Sequence, residues 1–243
     1  MSPALPFDFP LNQAEILRRR AMILTALLAR DGGFAQLPAH PLAAETPQMM
    51  LRLYDELFFS RYLSRAYREL SVTLSSRLTS SAGKFVYARS TVRRMQHAEI
   101  RMSSDFLYRL QQGPFQLNGL SVATPQEAFL VVFEHELCHA LETALYGSTG
   151  HSKRFLALAN GLFGHTDTRH ALPTRREDAA QNGLTVGSYV RFPFEGHMLC
   201  GLLTYIGKTA TVMVSDPRGS YRDRSGRRYT KYRVGIPLLT LVR

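Results

Sequence analysis

Three features of the sequence predict an α+β chain. Apolar residues keep a helical period up to about residue 70, the period switches to two between residues 72 and 103, and short alternating runs fill the last sixty residues. The expected architecture is a domain of helices and a small, largely antiparallel sheet, followed by a small all-β barrel.

The elements follow in chain order. Leu11, Ala14, Leu17, Ile23, Leu24, Leu27 and Leu28 recur near helical spacing, and Asp31-Gly32-Gly33 stops that helix. With the proline-rich connector LPAHPLAAETP, residues 1–45 form an N-terminal helical extension. Thr46 and Pro47 read as N-cap and first helical residue of a helix reaching about Leu70. The RRR at 18–20 reads as a solvated face of the first helix. Strands are expected at VTLSSRL (72–78), GKFVYAR (83–89) and AEIRMS (98–103). TPQEAFLVVFEHELCHALETALYG carries the strongest helix signals. Thr124 caps it, Pro125 opens it, Glu127 completes a capping box, and Gly147 stops it. A second helix, SKRFLALANGLFG (152–164), follows. The main domain is thus 46–180. From 184 to 243, five short strands with Gly, Pro and Asp punctuation suggest the barrel, with Gly207-Lys208 as a hairpin turn.

At 45% hydrophobic, the 243 residues can bury a substantial core, which excludes a disordered polymer. Two cysteines, Cys138 and Cys200, support neither a disulfide framework nor a cysteine zinc ribbon. The N-terminus lacks the pattern of a secretory signal, and no apolar run is long enough to span a bilayer. The expectation is a cytoplasmic chain, able to associate with the nucleoid. A net charge of +11 favours polyanionic partners.

The chemistry concentrates in HELCH, residues 135–139. On a helix, His135 and His139 project from one face a turn apart, close enough for both imidazoles to bind one ion. A catalytic zinc takes three protein ligands and leaves a position for water. Glu136, beside His135, can take the proton of a water polarised by the metal. The third ligand has four candidates: Glu142, His151, His165 and His170. Glu142 lies on nearly the same helix face and is either a ligand or a carboxylate that orients an imidazole. The turn at Gly147 doubles the chain back and puts His151 at the start of the next helix, which favours it. His165 and His170 are left for the surroundings of the metal or the substrate. Three imidazoles favour zinc.

HELCHAL, GHSKRF with a helix after it, and GLFGHTDTRH together resemble the SprT-like zinc metallopeptidases, which include the Spartan and Wss1 proteases. The matching residues are His135, Glu136, His139, Gly150, His151 and Phe155. LYDELFFSRYL and the strands ending GKFVY and AEIRMS are similar to the part of that family that precedes its metal helix. The resemblance spans about residues 47–172. It implies a zincin fold and a zinc-dependent endopeptidase holding one Zn2+ on His135, His139 and His151, with Glu136 as general base. It also implies protein substrates crosslinked to DNA. The chain departs from many bacterial members in lacking a four-cysteine zinc ribbon.

The tail, VGSYVRFPFEGHMLCGLLTYIGKTATVMV, resembles instead an SH3-like small barrel. Between 184 and 243, ten Lys and Arg face three acids, which places most of the chain's excess charge there. In PRGSYRDRSGRRYTKYR, arginines and tyrosines interleave. Arg218, Arg222, Arg224, Arg227, Arg228, Lys231 and Arg233 are candidate phosphate contacts, and the tyrosines can stack on unpaired bases. The leading expectation is a zinc endopeptidase acting on DNA-associated or DNA-crosslinked proteins, with DNA, single-stranded or crosslinked, as a partner. The alternatives are a peptidase whose barrel binds a protein and a nucleic-acid-binding module with a structural metal.

Overall fold

A computed structural model describes residues 5–79, 81–88, 95–110, 113–168 and 175–242. The chain divides into two compact units, Met1–Leu172 and Pro173–Arg243.

In the first unit, α1 (Gln13–Arg30) starts at Asn12, whose side chain accepts the Glu15 N–H. Ile23 and Leu27 join the main core, so the N-terminal segment is part of this unit's packing. Asp31 ends α1 and caps the short α2 (Gly32–Ala35). It also accepts the Thr46 hydroxyl at 2.6 Å, so Thr46 ties two segments together instead of capping its own helix.

That helix, α3 (Thr46–Phe59), stops eleven residues short of the expected end near Leu70. Ser60 and Arg61 turn left-handed, at φ 49° and 61°. The buried Asp55 carboxylate then accepts the N–H groups of Leu63 and Ser64, which starts the short α4 (Tyr62–Ala66) in a new direction. The two oxygens of Asp55 make the corner. The strand β1 (Tyr67–Ser75) begins at once, followed by β2 (Gly83–Tyr87) and β3 (Met95–Ser103). Arg89, the last residue of the strand expected over 83–89, lies outside the described residues.

The sheet order is β1-β3-β2. β2 pairs antiparallel with β3 as expected, but β1 pairs parallel with β3, from Tyr67↔Met95 to Ser75↔Ser103. A parallel pair needs a connection of a dozen or more residues, and the segment containing β2 supplies it. A short α5 (Ser104–Leu107) and the hairpin of β4 (Phe115–Leu117) and β5 (Leu120–Val122) lead to the long central helix.

That helix, α6 (Pro125–Tyr146), has the expected capping box of Thr124 and Glu127 and the left-handed Gly147 at its end. Sixteen of its 22 residues are buried, so it is the central rod of the unit. It packs against β2, β3 and α7 (Lys153–Phe163). Tyr54, Phe58, Phe59, Phe133 and Phe163 fill the core beside it with tilted and edge-on ring pairs.

The second unit opens with α8 (Arg175–Gln181), which the sequence division at 180 had put in the preceding domain. Its sheet is antiparallel and has six strands, not five. These are β6 (Tyr189–Phe194), β7 (His197–Ile206), β8 (Ala210–Ser215), β9 (Tyr221–Arg222), β10 (Arg228–Val234) and β11 (Thr240–Leu241), in the order β11-β6-β7-β8-β10-β9. The extra strand is a two-residue edge, too short to show a period. Gly207 and Lys208 lie in the turn between β7 and β8, as expected. Val190, Phe192, Leu203, Val212 and Val234 form the unit's own core. No helix among the described residues is long and apolar enough to cross a membrane.

Candidate metal centre

Both ends of α6 are fixed by their caps, and its buried faces fix its rotation. His135 and His139 therefore come to one place, with ring centroids 4.9 Å apart. After Gly147 the chain reverses, and His151 returns to the same point, 5.0 Å from each of the other two rings. One ligand atom from each of the three lies within 4.8 Å of the others, and the Nε2 atoms of His135 and His151 are 3.0 Å apart. Tetrahedral zinc with Zn–N bonds of about 2.0–2.1 Å holds its nitrogens roughly 3.3 Å apart, so the spacing of the triad is compatible with a single ion. His135 is buried, His139 half-buried and His151 exposed, which leaves one side of the cluster open to solvent.

Phe155, fully buried, is the wall behind the triad. Its ring centroid lies 4.5–5.1 Å from all three imidazoles. Thr149 Oγ1 sits 2.7 Å from Nδ1 of His139 and fixes that ring.

Glu142, left open between ligand and imidazole partner, acts on the loop instead. Its two oxygens accept the Gly150 N–H at 2.9 Å and the Ser152 hydroxyl at 2.6 Å, one residue on either side of His151. Glu142 therefore holds in place the turn that delivers the third imidazole. Glu142→Ala is expected to lower metal affinity by about 10–100-fold, the usual cost of losing a group that orients a ligand. Competition with a chromogenic chelator measures it.

Glu136 is 4% exposed and faces β2. Burial pushes its carboxyl up to about 8, opposed by a hydrogen bond from the Phe85 backbone; a cation held by the neighbouring triad would draw it back down toward the carboxylate form that a base requires. Gly83 makes room for it: a Cβ there would stand 2.6 Å from Glu136 Oε1. The requirement for glycine at 83 was not visible in the sequence, because the carboxylate it accommodates lies 53 residues away.

His165 is not near the triad. It is buried, with Nε2 3.0 Å from Glu134 Oε2 and Nδ1 3.3 Å from the Asn118 amide. Glu134 also accepts both Nε and Nη2 of Arg20, at 2.8 and 2.7 Å, and the Tyr54 hydroxyl at 2.8 Å. Burial alone would raise the Glu134 carboxyl; the Arg20 charge and the His165 contact outweigh it and hold it down to about 2. Arg20 thus leaves the solvated RRR face expected for it and enters the core. Arg18 and Arg19 pair with Glu15. The sequence did carry a signal, since a carboxylate inside AFLVVFE needs a buried partner. His170 lies outside the described residues.

The basic residues of the tail are not one patch. Asp223 builds a tight turn by accepting the Ser225 and Arg227 N–H groups and the Tyr229 hydroxyl. Arg227 pairs with Asp223, and Arg228 donates to the Gly219 carbonyl. Arg218, Arg222 and Arg224 are exposed around that turn, whereas Lys231 and Arg233 stand on β10.

Residues 47–175, more than half of the chain, match the SprT-like family. Among curated proteins, none matches the chain.

Proposed function

The chain belongs to the SprT-like family, and on that premise we propose that it is a zinc-dependent endopeptidase acting on proteins associated with or crosslinked to nucleic acid. The observation that carries the reading is the convergence of His135, His139 and His151 beside a buried Glu136. Three imidazoles suit zinc, which supports that choice of metal.

Bound zinc supplies Lewis acidity, polarising the scissile carbonyl and bringing the pKa of water toward about 7. The chain's own residues supply the rest. Glu136 takes the proton of the attacking water and delivers it to the leaving amine. β2 lies at an edge of its sheet, and Gly83 and Phe85 on it touch Glu136. An extended peptide laid along that edge would run beside the carboxylate, with backbone pairing to hold it.

The nucleic-acid part of the reading rests on the tail, where ten cations oppose three acids. A structural metal is disfavoured by Glu136, because a closed site has no use for a carboxylate lodged beside it. The test is cleavage of a basic DNA-binding protein by the purified chain, with and without single-stranded DNA. Cleavage accelerated by DNA is expected. Equal cleavage in both conditions, with binding indifferent to salt, would transfer the second unit to a protein partner.

A further inference from the structure

The outer face of the C-terminal sheet carries aromatic rings and cations. Directly paired residues of antiparallel strands share a face, and so do alternate residues along each strand. One row across four strands therefore reads Tyr189, Leu202, Met213, Lys231. Beside it runs a second row, Tyr205, Thr211, Arg233. Tyr221 pairs with Tyr229 on the same face, and Arg191 lies two residues along β6 from Tyr189.

Tyr205, Tyr189 and Tyr221 are 61%, 53% and 46% exposed, so their rings lie on the surface of the sheet and not in its core. Lys231 Nζ stands 5.4 Å from the Tyr221 ring centroid, which joins the charge to the aromatic surface. The three acids of residues 184–243 are off this face, one in the β6–β7 turn and two in the segments around β9. Asp216 is bonded there to Arg218 and Thr230, and Asp223 to its own turn.

We propose that this sheet face, and not the arginines between residues 218 and 228, is the binding surface for single-stranded nucleic acid. Tyr189, Tyr205 and Tyr221 stack on unpaired bases, and Arg191, Lys231 and Arg233 hold the phosphates. A duplex keeps its base faces inside the stack and offers such a surface only phosphates. Exposed rings between cations therefore select the single strand. The inference rests on the nucleic-acid part of the proposed function and is independent of its peptidase part.

The test is fluorescence anisotropy on the full chain, using labelled oligothymidylate and a duplex of equal length at several salt concentrations. The single strand is expected to bind more tightly. Tyr189→Ala and Tyr205→Ala should each weaken single-strand binding by about tenfold and leave duplex binding unchanged, because stacking is worth about 1–3 kcal/mol per base. Lys231→Ala should reduce the salt slope by about one. Thermal melting confirms that each variant is folded. If both tyrosine variants bind the single strand as the parent does, while R218A or R224A abolishes binding, the face is overturned and those arginines take its place. If neither nucleic acid binds, both the face and the nucleic-acid reading fall. Metal-dependent cleavage, assayed on the same preparation, stands apart from either result.

Discussion

Glu136→Gln should abolish cleavage while leaving the metal in place. The amide matches the carboxylate in size and keeps its position against Gly83 and Phe85. It cannot take a proton from water. Loss of a positioned general base costs about a hundred- to ten-thousand-fold in rate. Neither Glu136 nor its neighbours in β2 belong to the triad, so metal content and thermal stability should stay close to those of the parent. Cleavage at the parental rate in a metal-loaded variant would remove Glu136 from the chemistry.

Arg20→Met should cause the largest loss of stability of any single change at the buried ion pair. The methionine keeps the length of the stem, but Glu134, wholly buried, loses its bidentate partner. Breaking a buried pair in this way costs about 3–5 kcal/mol. For a unit of this size that is a fall of roughly 6–20 °C in melting temperature. Adding Glu134→Gln should recover part of the loss, because an amide leaves no charge to strand. The pH dependence has a definite sign. A carboxyl held down to about 2 in the folded state contributes stability above its unfolded value, near 4.3, and loses it as the pH falls. The gap between parent and variant should therefore be full above about pH 5 and shrink toward pH 2. A gap that does not change with pH would mean that packing, not charge, explains the loss.

This pair also changes how the N-terminal segment is understood. The family match begins at residue 47, yet α1, which precedes it, sends Arg20 to the residue immediately before His135. The helix is held to the histidine-bearing α6 by an ion pair that Tyr54 on α3 joins, and its Ile23 and Leu27 enter the shared core. Residues 13–30 are therefore a working part of the first unit.

What could be read from the sequence was local. Thr124, Glu127 and Gly147 act within a turn of the helix ends they mark, so the α6 boundaries were legible. His135 and His139 were legible for the same reason, and His151 because a glycine turn precedes a helix. What could not be read depended on distant partners. Arg20 and Glu134 are 114 residues apart. The period of α3 continues in sequence past Ser60, where the left-handed Ser60 and Arg61 and the two bonds to Asp55 turn the chain. The parallel pairing of β1 with β3 has no periodic signature, because parallel and antiparallel strands alternate alike. Glu142 faces the triad side of α6 on spacing alone, but the loop that folds back over it occupies both its oxygens. The arginines of the tail read as one cluster because they are close in sequence. Strand alternation and the Asp223 turn distribute them over different surfaces.

If three imidazoles hold one ion that makes peptide hydrolysis accessible to Glu136, metal and cleavage must be lost and regained together. The most direct test of that coupling is a single preparation of the full chain, assayed for metal content by elemental analysis and for cleavage before chelation, after chelation and after zinc is restored. One zinc per chain is expected, with cleavage lost when the metal is removed and regained on its return. A chain that binds no stoichiometric metal, or that cuts equally well after the metal is stripped, would contradict it.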